Sequence, residues 1–329
     1  MWRKEEDRII YCNLSYEKVK QKKLICSEVF ICIMWKKLFN LKDDKYGFKT
    51  VFQIIVGLLI FVTTMLTASL IVDMLYIHTG LEGPINVLLR CVLEIALFYL
   101  VLRFYICRVL KLDLSYFRIT KPRFSLLWVI TALLLPLAVV LFYFIFIKGT
   151  VSYGNRYSTF LNITFALKTA LSAGITEELL FRGYIMKLLE DRWNKIIAIF
   201  IPSILFASLH IIKGMGSADV ILLFIAGTTV GIMFSMVTYQ SKTIWNSVII
   251  HFSWNFFILG IFSISSQSNF RLIINYFIKN NNILITGGRF GVEASLPAIV
   301  SYVLVIILAV TMNKTSQKQS KTNTLHNCT

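Results

Sequence analysis

Eight apolar runs recur along this chain, most of them roughly 18 to 25 residues long, the length a helix needs to cross about 30 Å of hydrocarbon at about 1.5 Å per residue. They lie at 51–72, 86–107, 124–147, 160–190, 195–212, 218–239, 243–264 and 294–312. In lipid an open strand leaves its backbone groups unsatisfied, so each run is read as a helix. The reading is therefore an all-α, polytopic membrane protein of about eight transmembrane helices with a buried active-site cavity. Of the 329 residues, 57% are hydrophobic and 16% charged. A soluble domain carries about a quarter charged residues, so that class is excluded.

Three regions follow. Residues 1–49 form a basic cytoplasmic segment, 50–313 the membrane domain, and 314–329 a polar tail. Two readings of 1–33 stay open: an upstream mis-start, with Met34 beginning the chain, or an interfacial helix on the inner leaflet. The net charge is +17, and of the 34 Lys and Arg twelve lie in residues 1–49 while the rest mostly punctuate the ends of the apolar runs. That pattern fits lipid headgroups rather than nucleic acid, which would meet a basic stripe on a folded domain. With the N-terminus inside, segments on that side hold 24 of the 34 Lys and Arg, those on the other side hold six, and four lie within spans. The bias puts both termini in the cytoplasm of a multi-pass cell-membrane protein. The six cysteines form no CxxC pair, so neither disulfides nor cysteine metal sites are expected.

Ionisable groups inside a membrane are costly and by default functional. Here they gather in three helices, as Glu177-Glu178-Leu-Leu-Phe-Arg182, Phe206-Ala-Ser-Leu-His210 and His251-Phe-Ser-Trp-Asn255. The fourth and fifth runs form a hairpin turning near 192–195, which sets Glu177 and His210 at one level, about 23 to 25 Å above the turn. Glu178 and Arg182, four apart, can pair, and His251 and Asn255 share a face. Arg90 and Glu94 are also four apart and are expected to form a salt bridge within the second helix. A carboxylate in apolar surroundings can activate water, an imidazole can relay the proton, and an amide with a second imidazole can hold an oxyanion.

At these residues the sequence resembles the CPBP family, which includes the CAAX prenyl proteases and the bacterial Abi and bacteriocin-processing membrane proteases. The family pattern is EExxxR, then FxxxH, then HxxxN or HxxxD, and all three occur here in order within about 160–260. Gly287 to Glu293 also resembles the approach to the family's last helix. The resemblance implies an eight-helix intramembrane glutamate endopeptidase with its cavity open to the cytosol. It implies Glu177 as the base for water, assisted by His210, with His251 and Asn255 stabilising the oxyanion. Glu178 and Arg182 would support them, and Phe206 would pack at the site. The substrate would be a membrane-associated protein or leader peptide; a prenyl group does not transfer with the family.

Glu177, His210 and His251 would also suit zinc, but the chain has no HExxH and Asn255 is a poor zinc ligand, so no cofactor is expected. The alternatives are a non-catalytic scaffold or immunity protein that keeps the fold, and a proton-coupled transporter. The transporter would be marked by inverted repeats and broken helices, which the sequence lacks.

Overall fold

The computed structural model describes residues 44, 47–80, 82–154, 156–211, 214–266 and 272–326, with side chains omitted at 156–159 and 314–326. The expectations for 1–33 and for most of the basic N-terminal segment fall on residues outside that description, and of the polar tail the backbone is described through His326, as the end of the last helix. Residues Met1–Phe52 and Gln53–Thr329 form two separate units. In the first, Asp44 takes hydrogen bonds from the amide of Thr50 at 2.9 Å and its hydroxyl at 2.7 Å, closing the start of the first helix. The second unit carries the site.

Helices occupy all eight apolar runs. They are α1 (Phe48–Thr79), α2 (Pro84–Phe104, continued by a π turn Tyr105–Leu110), α3 (Leu126–Phe146) and α4 (Arg156–Glu178). The α4 rod runs on through a π segment, Leu179–Ile185, into α5 (Met186–Arg192). After the turn come α6 (Lys195–Leu209), α7 (Ser217–Ser241), α8 (Trp245–Phe256, continued by a π turn Phe257–Ile261), the short α9 (Ile283–Thr286) and α10 (Leu296–His326). The fold is all-α and polytopic. Among the described residues, five helices are long and apolar enough to cross a membrane: Phe48–Thr79, Pro84–Leu110, Leu126–Phe146, Ser217–Ser241 and Leu296–Asn313. Lys195–Leu209 and Trp245–Ile261 are apolar but shorter.

Three sequence expectations need correction. The run at 243–264 is not one helix: its end, Phe262–Ser265, is strand β2 of a small sheet. That sheet also contains β1 (Gly149–Tyr153) and β3 (Ile274–Ile278), in the order β1-β3-β2, with β3 antiparallel to β1 and parallel to β2. Arg90 and Glu94 do not pair with each other. Arg90 reaches Asp73 and Ser69 on α1, whereas Glu94 takes Lys168 Nζ at 2.9 Å and the Ser172 hydroxyl from α4. Each charge finds its partner on a neighbouring helix, so the pairs brace α1 to α2 and α2 to α4. His210 does not lie within a helix but directly follows Leu209, where α6 ends.

Small residues set the helices close around the centre. On α7, Gly227 and Gly231 face Ala207 and Ser203 of α6; a Cβ on Gly231 would stand 2.7 Å from the Ser203 Cβ. This is a small-residue seam of the kind that lets membrane helices approach backbone to backbone. Gly174 of α4 does the same against α8, where a Cβ would lie 3.2 Å from the Phe252 amide nitrogen. One turn further along α4 come Glu177 and Glu178, and His251 adjoins Phe252, so this approach brings the acids to the imidazole.

Candidate active site

The π segment begins directly after Glu178 and is wholly buried. Such segments reset helical register and recur at functional sites. Arg182, inside it and fully buried, donates to Glu178 Oε1 at 3.1 Å and to the carbonyl of Gly231 at 3.2 Å. Its guanidinium also lies over Phe206 at 4.8 Å and Phe234 at 5.1 Å from the ring centroids. A buried charge is tolerated when paired and hydrogen-bonded, and Arg182 has the carboxylate, the carbonyl and the ring faces.

Glu178 is likewise fully buried, and the same Oε1 lies 3.1 Å from His251 Nδ1. A charged carboxylate only accepts, so Nδ1 carries the proton in this contact. The other ring nitrogen, Nε2, is directed at Glu177, 3.9 Å from its Oε2. That separation is too long for a direct hydrogen bond. Phe234 stacks on the His251 ring at 4.7 Å, fixing its plane. The adjacent acids of the EE motif thus have different roles in the packing: Glu178 faces inward to Arg182 and Nδ1, and Glu177 faces a cavity.

That cavity, of about 320 Å³, is lined by Glu177, Phe206, His210, His251, Asn255 and Glu293 among others. All four residues assigned catalytic roles by resemblance therefore meet in one space, together with Phe206. Glu178 and Arg182 lie behind it. His210 holds its ring by Nδ1 against the Phe206 carbonyl at 2.8 Å. A carbonyl can only accept, so Nδ1 carries the proton in this contact and Nε2 is the nitrogen left over. The Phe206 ring packs 4.6 Å from the His210 ring, so Phe206 both shapes the cavity and supports its histidine.

Glu293 is the cavity residue to which the motifs assign no role. It sits in a 3-10 turn, Val292–Ala294, ahead of α10, and Trp254 Nε1 donates to its Oε1 at 3.0 Å. The Tyr302 hydroxyl holds the backbone carbonyl of the same residue at 3.1 Å. The sequence signal was its place at the end of the Gly287–Glu293 stretch, but nothing local tied it to Trp254, 39 residues earlier. Among the described residues no three His, Cys, Asp or Glu side chains form a group that could hold a metal ion.

Fold and site together define a polytopic helical membrane protein with carboxylates and imidazoles gathered in a buried cavity. Residues 159–257, the stretch bearing the three motifs, match the family model described as type II CAAX prenyl endopeptidase Rce1-like. Glu293 lies beyond the matched region. No match was found among curated proteins.

Proposed function

We propose that the protein is an intramembrane glutamic endopeptidase that hydrolyses a peptide bond of a membrane-associated protein or leader peptide. The observation that carries this reading is the division of labour around His251, with Nδ1 on Glu178 and Nε2 facing Glu177 across the cavity wall. Peptidase chemistry comes from the family match; the residue roles and the glutamic mechanism are this reading's own.

Glu177 accepts a proton from water as the water oxygen bonds to the scissile carbonyl carbon. The carbonyl π pair moves onto oxygen, and the resulting oxyanion is held by His251 Nε2–H and the Asn255 amide. For His251 to donate there while Nδ1 donates to Glu178, both nitrogens must carry protons. Collapse of the tetrahedral intermediate breaks the C–N bond. The proton taken by Glu177 passes to the leaving nitrogen with His210 Nε2 as relay, leaving a new carboxylate and a new amine. Glu178 and Arg182 position His251. No step is routed through a metal.

The test is to express Glu177→Ala and His210→Ala separately and compare protein N- and C-termini in the membrane proteome with wild type. Loss of the same processed termini in both variants supports the reading. Unchanged termini in both, with any cellular phenotype of the protein intact, would leave a non-catalytic scaffold as the better account.

A further inference from the structure

Glu293 is an acid without a cation. It is partly buried on the wall of the cavity it shares with Glu177, His210 and His251. Among the described residues no Lys or Arg pairs with it, and its carboxyl is held by the Trp254 indole alone, at 3.0 Å from Oε1. Glu178 has Arg182 at 3.1 Å as its counter-charge. A carboxylate desolvated without such a partner takes up a proton rather than stay charged. Burial accordingly pushes the Glu293 carboxyl above the usual carboxylate range. The indole bond and the imidazoles of His210 and His251 pull against that, while Glu177 on α4 pushes with it. An indole N–H can only donate, so Oε1 is the accepting oxygen of the acid and Oε2 is the one that carries the proton.

The turn that carries this acid is pinned on three sides. Its own backbone closes with the Ala294 amide on the Gly291 carbonyl at 3.0 Å. Tyr302 of α10 holds the Glu293 carbonyl, and Asp219 at the start of α7 takes the Arg289 amide at 3.0 Å. Gly287 has a positive φ of 74°, and a Cβ there would collide with the Gly291 carbonyl, so the stretch folds tightly back on itself. Three residues before Glu293, the Phe290 ring meets the His210 ring edge-on, with centroids 6.1 Å apart. The same stretch therefore touches His210 through Phe290 and α8 through Glu293. On α8, Trp254 directly precedes Asn255, one of the two proposed oxyanion donors. A tetrahedral carbon bears its oxyanion and its leaving nitrogen side by side, so a donor to that nitrogen belongs next to the α8 wall, where Glu293 is fastened.

From this placement we infer that Glu293 is the proton donor to the leaving nitrogen, the last member of the relay that begins at Glu177 and passes through His210. This rests on the endopeptidase reading and adds a catalytic residue to it. As the C–N bond of the tetrahedral intermediate breaks, its electron pair takes the proton from Glu293 Oε2, giving a neutral amine and a Glu293 carboxylate. The proton that Glu177 took from water then returns to that carboxylate by way of His210 Nε2. Both acids are back in their starting states after one water is consumed and one peptide bond cleaved. Two carboxyls in unlike surroundings thus supply the base and the acid of one reaction.

Leaving-group chemistry tests this role apart from packing. A peptide that the full-length protein cleaves in liposomes is taken from a synthetic library and made in two forms, one with its scissile amide and one with a thioester in that place. A thiol has a pKa of about 8.5, so a thiolate departs without being protonated, whereas an amine does not. Glu293→Gln is expected to slow amide cleavage by about 10-fold or more and thioester cleavage by less than about 3-fold, because the lost general acid serves only the amide. Glu293→Asp, which withdraws the acid by one methylene, should give the same pattern to a smaller degree, and it decides the matter if Glu293→Gln does not accumulate. Equal loss on both substrates, or an amide rate equal to wild type, overturns the inference and leaves the endopeptidase reading standing. Glu177→Ala should abolish cleavage of both forms. Wild-type protein that cleaves no peptide of the library would overturn the endopeptidase reading, and the Glu293 role with it.

Discussion

His251 Nδ1 lies 3.1 Å from Glu178 Oε1 in a setting where Glu178 is fully buried and His251 is 5% exposed. That contact turns the second acid of the motif into a support for the imidazole, and it separates two carboxylates that the sequence leaves side by side. Glu177→Gln removes the proposed base but keeps the shape of the cavity. It is expected to lower kcat by about 10²–10⁴-fold, the usual contribution of a general base. The melting temperature in detergent should stay close to wild type. Activity unchanged in this variant contradicts the assignment of the base.

Arg182→Ala should act on stability first. It leaves the Glu178 carboxylate buried without its main counter-charge, a loss of about 3–5 kcal/mol for a broken buried pair. Thermal unfolding of the purified protein in detergent measures it. Arg182→Lys should rescue only part of the loss, because one ammonium cannot reproduce the guanidinium's contacts with Glu178, the Gly231 carbonyl and the two ring faces.

The seam between α6 and α7 gives a steric prediction. Gly231→Ala puts a methyl 2.7 Å from the Ser203 Cβ and 2.8 Å from its Cα. Overpacking of this kind costs about 1–3 kcal/mol. The shift would also move the Gly231 carbonyl that holds Arg182, so activity should fall along with the melting temperature. A variant that melts like wild type would show that the helices are set further apart.

Glu293 separates a packing role from a chemical one. Glu293→Gln keeps an oxygen for the Trp254 indole but replaces the acid on the cavity wall with an amide. The expected result is a fall in kcat of about 10-fold or more with little change in melting temperature, since exchanging the acid for an amide changes the polar surroundings of the imidazoles. Trp254→Phe should lower stability by about 1–3 kcal/mol, the cost of leaving a buried carboxylate oxygen without its donor. Equal activity in Glu293→Gln and wild type would reduce Glu293 to packing.

Exhaustive chelation should leave the rate unchanged, because the proposed steps use only side chains of this chain. Activity lost on chelation and restored by added zinc would contradict that.

Much of this arrangement was legible in the sequence because helical spacing is local. The i, i+4 pairing of Glu178 with Arg182 and the shared face of His251 and Asn255 need only about 3.6 residues per turn. The same rule failed for Arg90 and Glu94, where helices packed alongside offered closer partners in Asp73 and Lys168. The sheet was invisible because β1 and β3 are short and more than a hundred residues apart, and β2 looked like the end of an apolar helix. The link from Trp254 to Glu293, and the meeting of Gly231 with Ser203, depend on tertiary packing that no local pattern encodes.

The central claim is that water activated at Glu177 cleaves a peptide bond, and isotope transfer tests it most directly. Wild-type protein and Glu177→Ala are reconstituted in liposomes and incubated with a synthetic peptide library in water enriched in oxygen-18, and the products are read by mass spectrometry. The account predicts new C-terminal carboxylates carrying one oxygen-18 from the wild-type protein and none above background from Glu177→Ala. The same labelled fragments at the same rate from both would contradict it.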